Sequence, residues 1–183
     1  MLDLFFISIL GNFWVVTYQT IILSISASII FLVLLFLLRP RIKIADKIAF
    51  FEGKYIIKTI NRSFFRIYDV KFQLTIKHTY GTPGGKNVRY SRLNLKRGEK
   101  LTYPRRPFIE KKCELFEHAV LVSIEDNIRE KWTNESDTLE FIVIAKHGLS
   151  SFAKIYKVKY DHLGTDIVNG EYKHGNTMEI VVV

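Results

Sequence analysis

The 183 residues include 27 Lys and Arg against 18 Asp and Glu, for a net charge of +9, and a single cysteine, Cys113. One cysteine excludes an intramolecular disulfide framework and suits a reducing compartment. No fixed-period repeat and no low-complexity tract interrupts the chain, and about 140 residues are enough for one buried core.

The 35 residues from Leu4 to Leu38 contain no charged side chain. A bilayer core about 30 Å thick needs roughly 20 apolar residues, so a single transmembrane helix over about 19–38 is expected. A helix from 1 to 38 is too long for one crossing, and a break is expected at Gly11-Asn12. Leu2 to Leu10 would then lie in the outer interface, with Trp14 and Tyr18 at headgroup depth. Arg39, Arg41, Lys43 and Lys47 follow the span while only Asp3 precedes it. The positive-inside rule therefore places the N-terminus outside and the C-terminal domain in the cytoplasm, at the inner membrane. A cleaved signal peptide would want a basic start and a shorter apolar run, and neither is present. Ser24, Ala27 and Ser28 put small residues at a spacing suited to helix–helix contact. All 27 basic residues and 17 of the 18 acids follow the span, leaving that part at +10. Such a charge is attracted to an anionic leaflet.

Beyond Pro40 the pattern changes to period-two alternation between turn signals. It predicts strands over 42–51, 55–60, 68–77, 88–95, 119–124, 139–147 and 153–160, with a final pair over 167–172 and 178–183. Val70, Phe72, Leu74 and Ile76 alternate with Lys71, Gln73, Thr75 and Lys77, so the first set faces a core, joined by Phe141, Val143 and Ala145. Turns are expected at Gly81 to Gly85, Arg97-Gly98, His147-Gly148 and Asn169-Gly170, the last as a hairpin. Ile124, Ile128 and Trp132 form a helical stripe about two turns long. The expected organisation is a membrane anchor over 1–40 and one all-β domain over 41–183, an immunoglobulin-like β-sandwich of seven to nine strands.

The run Ile56 to Ser63 followed by Ile67 to Phe72 resembles the strand, Asn-turn, strand pattern of bacterial Ig-like domains of the cell-adhesion type. The whole chain resembles uncharacterised bacterial single-pass membrane proteins with a cytoplasmic Ig-like domain. Pro40, the loop Ala145 to Ser151 and the turn Gly170 to Gly175 carry that resemblance. These motifs are structural, and the resemblance implies no catalytic residue.

Gly81-Thr82-Pro83-Gly84-Gly85-Lys86 looks like a phosphate-binding loop but has three residues between Gly81 and Gly85 where four are needed, and Asn87 stands where Ser or Thr belongs. It is read as a hairpin loop. Of His78, His118, His147, His162 and His174, the last three fall at predicted strand ends and would converge on one pole, while Glu114 or Glu117 near His118 could add a carboxylate ligand. No two are spaced to force a common face, so no metal and no cofactor is expected. Cys113 has only Lys111 and Lys112 to activate it. The sequons at Asn61 and Asn134 would matter only in a glycosylating compartment.

The most unusual stretch is 96–112, read as one long loop. Lys96, Arg97, Lys100, Arg105, Arg106, Lys111 and Lys112 are interleaved there with Tyr103 and Phe108, and Pro104 and Pro107 stiffen it. Cations beside rings suit lipid headgroups or another polyanion, a nucleic acid being the less favoured one. Glu125, Asp126, Glu130, Glu135, Asp137 and Glu140 are expected to form an opposing acidic side suited to self-association. Without an acid, base or nucleophile constellation, the chain is not read as an enzyme. The expected function is a membrane-anchored interaction module that docks a protein partner or a second copy. The alternative is a ligand-sensing membrane effector, similar to bacterial antiphage effectors that join a membrane segment to a β-barrel sensor, although those carry two spans.

Overall fold

The computed structural model describes residues 2–63, 65–106, 117–134, 136–148 and 152–182, with side chains from Trp14 onward. Two compact units divide the chain, Met1–Leu38 and Arg39–Val183.

The first unit is one helix, α1 (Leu2–Leu37). It passes through Gly11-Asn12 without the expected break, since one glycine in a helix costs only about 1 kcal/mol and the apolar run continues on both sides. Its 36 residues make a rod of about 54 Å. Trp14–Leu37, 24 residues, is long and apolar enough to cross a membrane, a test that an N-terminal signal sequence also meets. Hydroxyls within this stretch bond back along the helix: Thr20 Oγ1 to Val16 O at 2.8 Å, Ser24 Oγ to Thr20 O at 2.9 Å and Ser28 Oγ to Ser24 O at 2.8 Å. Ser24 and Ser28 are thereby satisfied without a second helix.

The second unit is mostly β, and its strands form two facing five-stranded sheets with a separate two-stranded ribbon. In the first, β3 (Lys54–Asn61) is central. On one side it pairs with β1 (Ile42–Ile44) and β2 (Ile48–Phe51), on the other with β7 (Ala119–Ile124), all antiparallel. The expected single strand over 42–51 is thus one strand row interrupted by a bulge at 45–47. Two tyrosine hydroxyls cap the carbonyls that the bulge releases: Tyr160 donates to Ala45 O at 2.7 Å, and Tyr172 donates to Lys47 O. The turn into β3 is Glu52-Gly53, both with positive φ, as a two-residue hairpin requires.

In the second sheet, β4 (Ile67–Thr82) pairs on one side with β8 (Thr138–His147), which pairs with β9 (Ala153–Tyr160). On its other side β4 pairs first with β6 (Glu99–Tyr103) and further along with β5 (Gly85–Leu93). A bulge at Asp69, with φ of 50°, shifts the register against β8. The sequence Gly81 to Gly85 is a hairpin turn closed by the Thr82–Gly85 pair.

Val70, Phe72, Leu74, Ile76, Phe141, Val143 and Ala145 all face the core and are buried, as the alternation predicts. They meet Tyr55, Ile57, Val122 and Ile124 from the first sheet. Ile124, Ile128 and Trp132 are buried too. The helix between them, α2 (Ile128–Lys131), is only one turn, because Asn127 caps it and the chain already extends at Trp132.

The final segment departs from expectation. After α3 (Leu163–Asp166), β10 (Ile167–Asn169) adds to β2 in parallel, and β11 (Glu171–Tyr172) pairs with β12 (Ile180–Val181). Asn169-Gly170 is therefore not a hairpin. Gly170, φ 146°, turns the chain from the edge of the first sheet onto its outer face, and a Cβ there would strike the Val181 carbonyl. Tyr172, Met178 and Ile180 pack over Ala45, Ala49 and Ile56 as a third layer.

Candidate anion-binding groove

The strand β6 lies inside the stretch that alternation suggested was loop. The reason is tertiary: β5 ends opposite Leu74, which leaves the flank of β4 from Ile67 to Lys71 open, and Glu99–Tyr103 fills it. Between those two strands, Leu95 crosses to bridge Ile124 of the other sheet, and Lys96 N donates to Ser123 O at 3.0 Å. The two sheets are tied at that point. Beyond it, β6 and β7 face each other as two sheet edges.

A groove of about 590 Å³ lies between these edges, bordered by Arg66, Arg97, Lys100, Thr102, Glu117 and Leu121. An adjoining hollow of about 390 Å³ shares Arg97 and Lys100 and reaches down to Phe72 and Val122. The floor is apolar and the rim cationic. Leu101 (86% exposed) and Leu121 (51% exposed) add apolar surface at the mouth, well above what a core-facing leucine would show.

Lys100 occupies the key position. Half-buried, it points its Nζ over the Tyr103 ring, 5.4 Å from the centroid. Desolvation holds its pKa below the ordinary lysine value; Glu117 opposes that shift and Arg97 adds to it. A lowered lysine pKa means the protonated state lacks compensation, so an anion arriving beside Lys100 is favoured.

Tyr103 must be removed from the surface residues that sequence suggested. It is fully buried, opposite Ile67, and its hydroxyl shares a 2.9 Å hydrogen bond with Thr59 Oγ1. Burial pushes the phenol well above its usual range. It cannot stack on a base or reach a lipid. Lys96 is exposed beside the Leu95 crossing, outside the groove border. Arg105 and Arg106 are exposed at the end of the sandwich where the domain begins. Lys111, Lys112, Phe108, Pro107, Cys113 and Glu114 lie outside the described residues.

The histidines do not converge. His147 ends β8 opposite Ile67, whereas His162 follows β9 at the other end of the sheet. His78 Nδ1 pairs with the Asp137 carboxylate at 2.8 Å, and His118 is buried against Asn176. Among the described residues no three His, Cys, Asp or Glu side chains come together as metal ligands.

The expected acidic side is dispersed as well. Asp137 is buried with His78, and Glu140 is buried against Lys157 at 2.5 Å. Asp126 accepts from Asn94 N at 2.7 Å and pairs with Lys131 at 2.9 Å, so its carboxyl is held below the usual range, chiefly by the Asn94 amide. Glu135 lies outside the described residues.

Sequence reasoning missed Arg66, and it offered Glu117 only as a metal-ligand candidate beside His118, not as part of this groove. Both border the groove from segments outside the basic stretch, and only the strand register brings them there. Comparison with known proteins finds no family model that matches this chain and no curated relative that matches it.

Proposed function

We propose that this protein is a non-enzymatic, membrane-anchored binding module that docks an acidic, extended segment of a protein partner. The observation that carries this reading is the groove between the edges of β6 and β7, apolar below and cationic above. An extended segment laid there would have sheet edges for its backbone, Leu101 and Leu121 for apolar side chains and Arg97 and Lys100 for acidic ones. We read the sandwich as immunoglobulin-like. The row β1/β2, β3, β7 against the row β5/β6, β4, β8, β9 corresponds to strands A, B, E against C′, C, F, G of that fold. With α1 as a single bacterial inner-membrane span, the cations Arg39 to Lys47 favour a cytoplasmic position for the sandwich.

A second reading rests on the size of the same groove. At about 590 Å³ it falls in the range of small-ligand sites, and three cations suit phosphate oxygens. The protein would then be a ligand-sensing membrane effector. One titration separates the two. The full chain in detergent micelles is titrated with a fluorescein-labelled peptide of alternating Glu and Val, and separately with a labelled cyclic dinucleotide. Saturable peptide binding that Lys100→Glu abolishes supports the docking module. Binding of the nucleotide alone selects the sensor, and binding of neither removes the groove from consideration.

A further inference from the structure

The end of the sandwich where the domain begins gathers arginines from three segments far apart in sequence. They are Arg39 and Arg41 before β1, Arg62 and Arg66 between β3 and β4, and Arg105 and Arg106 after β6. All six are exposed. None of the segments 39–41, 61–66 and 104–106 contains Asp or Glu.

Their assembly is built into the fold. Asn61, fully buried, donates from Nδ2 to Pro104 O at 2.8 Å and to Phe65 O at 3.3 Å, while its Oδ1 accepts from Ser63 N at 2.8 Å. Ser63 Oγ accepts from Arg41 N at 2.7 Å, and Arg62 N donates to Arg41 O at 2.7 Å. Arg106 N reaches Ser63 O at 3.3 Å. The Asn61-Arg62-Ser63 sequence thus works as a knot holding three loops together, and the guanidinium groups share one end as a result. Phe65, 41% exposed, sits among them with one ring edge on the buried His147.

We propose that this arginine-rich end is a docking face for the phosphates of anionic phospholipids. The six arginines carry planar forks that bind phosphate oxygens in pairs, whereas a lysine offers a point charge. An exposed aromatic ring among cations is the composition of a headgroup-depth contact. Arg39 follows Leu38 of the apolar helix directly in the chain, so a bilayer crossed by α1 is the polyanion closest at hand. This proposal rests on α1 being a membrane span; it shares Arg66 with the β6–β7 groove, whereas Arg62 lies outside the groove lining, so the Arg62→Gln arm tests the lipid face alone.

The test uses the full chain in nanodiscs. A fluorophore is placed at Phe65→Cys in a Cys113→Ser background, with a control label at Gly84→Cys in the distal hairpin, and quenching by headgroup-spin-labelled lipid is read. In discs containing phosphatidylglycerol the label at 65 is quenched and the label at 84 is not. Quenching falls as salt rises, and it falls about fivefold for each of Arg62→Gln and Arg66→Gln. Discs of phosphatidylcholine alone show little quenching at either position. Equal quenching at 65 in neutral and anionic discs, or in the double variant, means tethering alone brings the domain close, and overturns the proposal. So does an inserted chain whose label at 65 is never quenched. A chain that alkaline carbonate strips from the bilayer overturns the membrane reading and this proposal together.

Discussion

At the end of the sandwich that carries α2 and the β4–β5 hairpin, carboxylates are consumed by local structure: Asp126 by Asn94 and Lys131, Asp137 by His78, Glu130 by Asn127. At the end where Arg39 begins the domain, one carboxylate, Asp69, is held by Lys146 at 2.6 Å, and neutral groups do the rest of that work. Asn61 and Ser63 hold the loops, and the charged side chains point outward. The contrast separates carboxylates held in local pairs from arginines exposed on the surface. Removing a charged group should therefore disturb folding at the first end and binding at the second.

The largest effect is expected in the packed core and at its α2 end. Trp132→Ala removes a buried ring and the 2.9 Å bond from its Nε1 to Asp137 O, and Phe72→Ala removes a ring stacked on Phe141. Each should cost about 3–5 kcal/mol in chemical denaturation followed by near-ultraviolet dichroism. Lys71→Ala, which breaks only an exposed pair with Glu99, should cost under about 1 kcal/mol. Similar losses for Phe72 and Lys71 would break the assigned register.

Next in size is Asn61→Ala, which strands several buried polar groups at the arginine-rich end. A loss of about 1–3 kcal/mol is expected, with faster hydrogen exchange confined to 62–66 and 104–106. Uniformly faster exchange would show that the knot is not local.

Acid should distinguish the two ends in separate windows. Burial lowers the pKa of His147 from its ordinary 6.5, so the unfolded chain binds that proton more readily. Stability is fully present above pH 6.5 and declines as pH falls through the folded value. At the other end the Asp126 carboxyl is depressed below 3.8, so its contribution persists to lower pH and is lost only as pH falls through its folded value. Hydrogen exchange against pH should show loosening around 147 first, and His147→Gln should flatten that first phase. Simultaneous loosening at both ends would contradict the assignment.

The smallest effect on stability should come from Arg62→Gln with Arg66→Gln, within about 0.5 kcal/mol for each exposed site. A larger loss would mean that these arginines belong to the fold and would erase the contrast between the ends.

Local pattern was sufficient to read the apolar helix, the inward set on β4 and β8, and the Gly81 to Gly85 turn, because each depends on neighbours one to four positions away. The bulge at 45–47 was not legible, since the tyrosines that cap its carbonyls come from positions 160 and 172. Nor was β6, whose place depends on where β5 stops along β4. Tyr103 looked like a surface ring among cations and proved to be core, because pairing with Ile67 decides which face it takes. The candidate surfaces divide in the same way. Composition announced a basic stretch over 96–112, yet the groove recruits Arg66 and Glu117, and the arginine-rich end joins Arg41, Arg62 and Arg106 through Ser63. Charge along a chain is a one-dimensional property, whereas a binding surface forms only where backbone hydrogen bonds bring distant segments to the same end of a sheet.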